Sequence, residues 1–197
     1  MPTLVVATRN PGKLKEMQAY LTDPALNWSL RLKPADLEIE ETGQTFLENA
    51  GLKASQVAQA IGEWAIADDS GLAVDALGGA PGIFSARYGN TDADRIARLL
   101  SELGERPDRQ AQFVCAVAVA RPDGTIVLQT EGICSGEILY SPRGVGGFGY
   151  DPIFYVPTEQ MTFAEMPPAV KHRVSHRGRA FEALLPQLKA LSSDVNP

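Results

Sequence analysis

Residues 3–21, TLVVATRNPGKLKEMQAYL, pass from a β-rich apolar run through a polar turn into a stretch with the apolar period of a helix. Leu14, Met17 and Leu21 recur three and four residues apart and line one helical stripe. Asn10 is placed to cap that helix, and Pro11 suits its first position, where a missing N–H is harmless. A strand leading straight into a helix is half of a βα unit, so this stretch predicts an α/β fold.

The remaining sequence extends that pattern. A second strand is expected near Trp28 to Leu32. Thr45 and Glu48 have capping-box spacing ahead of a helix whose apolar face is Phe46, Ala50, Ala54, Val57 and Ile61, and Gly62 can end it. WAIA (64–67) reads as a buried strand that terminates in DDSG. After the glycine-rich run GLAVDALGGAPGIFSARYG (71–89), Thr91 and Asp94 open a third helix carrying Ile96, Leu99, Leu100 and Leu103, stopped by Gly104. Two long strands, around FVCAVAVA (113–120) and TIVLQTEGICSGEI (125–138), flank PDG, a hairpin signal. A final helix carries Phe181, Leu184, Leu185, Leu188 and Leu191, and Pro186 inside it should kink it or end it early. βα units combined with a long hairpin indicate a mixed sheet.

Of the 197 residues, 44% are apolar, enough to bury one substantial core in a single domain over 1–197. Eighteen Lys and Arg against 24 Asp and Glu leave a net charge of −6, which disfavours nucleic acid as a partner. No apolar stretch approaches the roughly 20 residues of a membrane span. The first apolar run has no positive residue before it and no small-residue cleavage signal, so a cytoplasmic protein is expected. Cys115 and Cys134 lie in strand-like runs without metal-ligand spacing and read as buried thiols.

Several segments carry candidate chemistry. TRNPGK (8–13) joins a strand to a helix start, where free N–H groups, the helix dipole and Lys13 make a seat for phosphate. Acidic residues gather before the second helix, as Glu38, Glu40 and Glu41, and after the WAIA strand, as Asp68 and Asp69. Carboxylates at strand ends suit Mg²⁺, whose shell substrate phosphates complete. Alternation turns one aspartate toward the core, and Asp69 is the better metal candidate. Lys53 stands two turns into the second helix, and Lys171, His176 and Arg177 lie near the start of the last one. In GGFGYD (146–151), glycines let the backbone approach a flat ligand on which Phe148 can stack.

Taken together, TRNPGK, EETGQTFLENA, IADDSGL, GGAPGIFSARY, GGFGYDPIF and KHRVSHRG resemble, in one order, the motifs of the inosine triphosphate pyrophosphatases, which cleanse the nucleotide pool of deaminated purines. The resemblance implies that Thr8, Arg9, Asn10, Pro11, Gly12 and Lys13 hold triphosphate and that Glu40 and Asp69 hold Mg²⁺. It makes Asp69 the catalytic base, with Lys53 and Ser70 also on substrate. Phe148, Gly149, Tyr150 and Asp151 would embrace the nucleoside, while Lys171, His176 and Arg177 close over base and phosphates. It further implies a long mixed central sheet flanked by helices, two lobes with the active-site cleft between them, and a homodimer. Arg9 stands where a smaller residue is common, and the segment before Lys171 is richer in proline than usual.

The expected reaction is Mg²⁺-dependent hydrolysis of a purine nucleoside triphosphate to monophosphate and pyrophosphate. Asp69 would position and partly deprotonate the attacking water, while Lys13 and Lys53 absorb charge on the leaving group. Two other readings remain open: a non-catalytic purine-nucleotide sensor, and a related house-cleaning pyrophosphatase acting on methylated pyrimidine or ordinary nucleotides.

Overall fold

β1 (Thr3–Val6) leads into α1 (Pro11–Leu21), and β2 (Ser29–Leu32) returns beside it in parallel register. The structure, a computed structural model, describes residues 1–195. There follow α2 (Phe46–Ile61), β3 (Trp64–Val74), α3 (Asp92–Leu103), β4 (Gln110–Ala120), β5 (Ile126–Ile138), β6 (Phe154–Val156), β7 (Met161–Thr162), α4 (Pro168–Val174) and α5 (His176–Val195). The seven strands form one sheet in the order β2-β1-β3-β4-β5-β6-β7. β1 pairs in parallel with β2 and β3, whereas β5, β6 and β7 pair antiparallel, so the sheet is mixed as the sequence predicts. Among the described residues, no helix is long and apolar enough to cross a membrane.

The chain divides into two compact units. The first comprises Met1–Asp69, Cys115–Gly132 and the chain from Arg179 on; the second comprises Ser70–Val114 and Ile133–Gly178. In the first unit, strand alternation sorts the core onto the two faces of the sheet. Leu4, Val6, Ile66, Cys115 and Val117 pack against Met17 and Leu21 of α1 and Phe181, Leu184 and Leu188 of α5. Val5, Ala7, Ala65, Ala67, Ala116 and Ala118 pack against Ala50, Ala54 and Val57 of α2. The alanines on that second face bring α2 close to the sheet. The second unit has its own core, in which Leu72, Leu99, Leu103, Phe113, Ile153, Phe154 and Phe163 are buried.

Helix starts agree with the sequence. Asn10 caps α1 with Pro11 at its first position, and Thr45–Glu48 and Thr91–Asp94 each form a complete capping box. One expectation is corrected and another is narrowed. The strand expected to stop at Ala67 continues through Asp68 and Asp69 to Val74, so the aspartates lie inside a strand and not at its end. Pro186 does not end the last helix, which runs on to Val195. Both Pro186 and Glu182, whose carbonyl loses its helical partner, are exposed, so water can serve that carbonyl while Leu184 and Leu188 stay buried. The short elements β6, β7 and α4 have no counterpart in the sequence reading.

Candidate functional site

Two groups of the expected residues form, one in each unit. In the first unit, the turn between β1 and α1 is held by its own side chains. The Asn10 carboxamide oxygen accepts the N–H groups of Gly12 (2.9 Å) and Lys13 (3.1 Å), and the Thr8 hydroxyl accepts the N–H of Asn10 at 3.2 Å. Pro11 has no N–H, so the backbone donors expected to be free for phosphate are largely engaged. The Arg9 guanidinium turns away to the carbonyls of Ala35 (3.2 Å) and Leu37 (2.9 Å) and ties down the loop ahead of the acidic residues. Lys13 is left as the cation of this turn.

Because Asp68 and Asp69 are successive strand residues, they point to opposite faces of the sheet. Each meets a lysine from the helix on its own side. Lys13 of α1 lies 3.3 Å from the Asp68 carboxylate, which also lies 3.9 Å from the Cys115 thiol. Lys53 of α2 donates to Asp69 Oδ1 at 2.8 Å. The two carboxylates therefore cannot act as one chelating pair. Asp69 Oδ2 is buried and has no hydrogen-bond partner, an arrangement that costs free energy unless something occupies that oxygen.

The second carboxylate beside Asp69 comes from the segment leading into α2. Glu41 Oε1 lies 3.4 Å from Lys53 Nζ, whereas Glu40, the expected metal ligand, has an exposed side chain and is held through its backbone. The Gln56 amide brackets Glu40, accepting its N–H at 3.0 Å and donating to its carbonyl at 2.9 Å. Asn49 Oδ1 accepts the N–H of Gly43 at 2.9 Å. Asn49, Lys53 and Gln56 follow helical i, i+4, i+7 spacing, so one stripe of α2 docks the whole acidic segment. The sequence reading took Lys53 from this stripe and missed its companions, although three polar residues at that spacing on one helix are a readable signal.

Burial alone would depress the Lys53 ammonium, but Asp69, Asp68 and Glu41 outweigh it and hold its pKa above the ordinary value. Burial pushes the Asp69 carboxyl up from its ordinary value, with Lys53 and Lys13 offsetting only part of the rise. On the Asp69 face, two carboxylates, Asp69 and Glu41, meet one ammonium group, that of Lys53. Oxygen donors with excess negative charge suit a hard divalent cation. Among the described residues no cluster of three or more His, Cys, Asp or Glu could hold a metal.

In the second unit, the Asp151 carboxylate accepts the Phe148 N–H at 2.8 Å and pairs with Lys171 at 2.6 Å. Asp151 and Lys171 are both largely buried, and Lys171 Nζ lies 5.0 Å from the centre of the half-buried Phe148 ring. A Cβ at Gly147 would collide with the Asp151 carboxylate, so only glycine lets the loop close. The Tyr150 hydroxyl donates to the Ser85 carbonyl at 2.9 Å, and burial raises its pKa and keeps it a donor. His176 stacks on Phe113 at 4.6 Å and lies 6.0 Å from Phe163. Arg177, 1% exposed, donates to the Ser70 hydroxyl at 2.9 Å. Asp151, Lys171 and Arg177 are thus all engaged with neighbouring protein groups, and the half-buried Phe148 ring lies beside the Lys171 ammonium.

Residues 4–187 match the Ham1 family. A protein of Nostoc sp. named dITP/XTP pyrophosphatase is 67% identical over 190 residues, 96% of each chain. Another of that name from Synechocystis sp. is 64% identical over 194 residues, 98% of this chain and 99% of its own. The solved structure of a Ham1 protein from Coxiella burnetii superposes with a TM-score of 0.87 at 44% identity, covering 96% of this chain and all of that one. The match spans the turn between β1 and α1, the divided aspartate pair and the glycine-rich loop alike, and by it the chain belongs to the Ham1 family.

Proposed function

We propose that the protein hydrolyses the deaminated purine nucleoside triphosphates ITP, dITP and XTP to the monophosphate and pyrophosphate with Mg²⁺, keeping them out of DNA and RNA. The observation that carries this reading is Asp69: a buried carboxylate with one oxygen on Lys53 and the other without a hydrogen-bond partner. Such an oxygen suits a metal ion or the proton of an attacking water. The relatives named dITP/XTP pyrophosphatase support the choice of substrate.

Lys13 and Lys53 bind the triphosphate and balance charge on the departing pyrophosphate. Asp69, with Glu41 or Glu40 as the second carboxylate, would hold Mg²⁺, which would supply charge neutralisation when bound. Asp69 also orients the water for in-line attack on the α-phosphorus and accepts its proton. No covalent intermediate is required. On the nucleoside side, Phe148 stacks on the purine and Lys171 presents a donor that cannot accept. Hypoxanthine and xanthine carry an acceptor oxygen at C6, whereas adenine carries an amino donor there, so adenosine triphosphate is a poor substrate. A homodimer and a cytoplasmic location belong to the same reading.

Pyrophosphate release from a panel of purine and pyrimidine triphosphates, with Mg²⁺ and with a chelator, tests it. Turnover led by ITP, dITP and XTP and abolished by the chelator is expected. Binding without turnover identifies a sensor, and a pyrimidine or adenine preference overturns the substrate assignment. Mg²⁺ should also raise the melting temperature of the wild type and not of Asp69→Asn, a readout independent of turnover.

A further inference from the structure

Asp92 is the first residue of α3 and lies outside every motif on which the family resemblance rests. Its Oδ2 accepts the backbone N–H of Gly149 at 2.7 Å, across 57 residues of sequence, and its Oδ1 accepts the Arg95 guanidinium at 2.6 Å. Arg95 in turn donates through Nε to the Gly89 carbonyl at 3.2 Å. The carboxylate is therefore held from behind while it reaches the glycine-rich loop.

That loop has an unusual need for an outside anchor. Phe148 stands between Gly147, at φ +73°, and Gly149, at φ +62°. Neither glycine has a side chain to restrict rotation of the peptide planes flanking the aromatic ring. The Phe148 N–H is fixed from within the motif by Asp151, and the peptide on its other side is fixed by Asp92. A hydrogen bond to an ionised acceptor is of the stronger kind.

We propose that Asp92 is a positioning residue for nucleoside recognition: by holding the Gly149 N–H it sets the orientation of Phe148, the ring on which the purine stacks. The inference rests on the nucleotide reading above. Asp92 touches none of the groups assigned to the phosphates or the metal, so its loss weakens retention of the base and spares the chemistry.

Asp92→Ala and Asp92→Asn test this, the asparagine keeping an oxygen that can accept from Gly149. In the alanine variant, exchange at the Gly149 amide should accelerate, and Kd for inosine monophosphate and KM for inosine triphosphate should each rise about ten-fold. In the same variant kcat should stay within about two-fold, and tripolyphosphate binding should be unchanged. Asparagine should restore most of the base affinity. The proposal is overturned if alanine leaves inosine monophosphate affinity unchanged, if tripolyphosphate binding falls by the same factor, or if asparagine restores nothing. Failure of the wild type to release pyrophosphate from inosine triphosphate refutes the enzyme reading separately, and monophosphate binding still decides the role of Asp92. A wild type that binds no inosine monophosphate overturns the proposal itself.

Discussion

The Asp151–Lys171 pair offers a quantitative test of the nucleoside loop. Its atoms are 2.6 Å apart, with side chains 5% and 13% exposed. At an effective dielectric of about 20 the gross attraction is about 6 kcal/mol, most of which desolvation offsets. Removing one partner leaves the other charge poorly solvated, so Asp151→Asn and Lys171→Met should each destabilise by about 3 kcal/mol. For a chain of this length that corresponds to a fall in melting temperature of about 6–12 °C. The double variant has no uncompensated charge, and it should recover at least about 1.5 kcal/mol relative to the sum of the singles. Urea denaturation of all four proteins measures this coupling. In kinetics, Lys171→Met should lower inosine triphosphate turnover more than adenosine triphosphate turnover, because it removes the donor beside Phe148 and leaves untouched Lys13 and Lys53, the lysines proposed to bind phosphate. Additive stabilities, within about 0.5 kcal/mol, would show that the pair does not hold the loop. An equal loss on both nucleotides would place selectivity in backbone donors instead.

Asp69→Asn should lower turnover by about 10²-fold or more while keeping the fold, since the amide oxygen can still accept from Lys53. Near wild-type turnover would remove Asp69 from the chemistry. Without metal, burial raises the pKa of the Asp69 carboxyl above its ordinary value. The sign for stability is the reverse of a normal ion pair. A carboxyl whose pKa is raised by folding favours the fold when protonated, fully so below its unfolded value of about 3.9, and this contribution is lost as pH rises through the folded value. The melting temperature of Asp69→Asn relative to wild type should therefore be higher at pH 7 than at pH 4 without metal, and a gap that narrows with rising pH contradicts the burial argument. Lys13→Ala should raise KM for the triphosphate and also destabilise by about 2 kcal/mol, because it removes the ammonium facing a fully buried Asp68 carboxylate. Adding Asp68→Asn should restore the melting temperature without restoring KM; unchanged stability in Lys13→Ala shows the pair to be idle.

Local rules made much of the framework legible. The apolar period of residues 11–21, two capping boxes and glycine helix ends act within a few residues, so their outcome does not depend on what lies across the fold. The motifs likewise named Asp69, Lys53, Phe148 and Lys171 by their place in the chain. Tertiary structure decided what these residues do for each other. Reading the WAIADDSG aspartates as a strand end overlooked pairing that carries β3 on to Val74, and that continuation sends Asp68 and Asp69 to opposite faces. Whether Glu40 or Glu41 faces Lys53 depends on the bracket that Gln56 makes, a contact sixteen residues apart in sequence. Asp92 has no signal at all along the chain, because its partner is a backbone N–H, which every residue but proline carries, and only the fold brings that group to Gly149. The sequence by itself determined the main helices and strands and the candidate residues for the site, since propensity, capping and hydrophobic period are local. The tertiary structure alone decided which carboxylate meets which lysine and what anchors the glycine-rich loop, because hydrogen bonds and burial between distant segments exist only once the chain has packed.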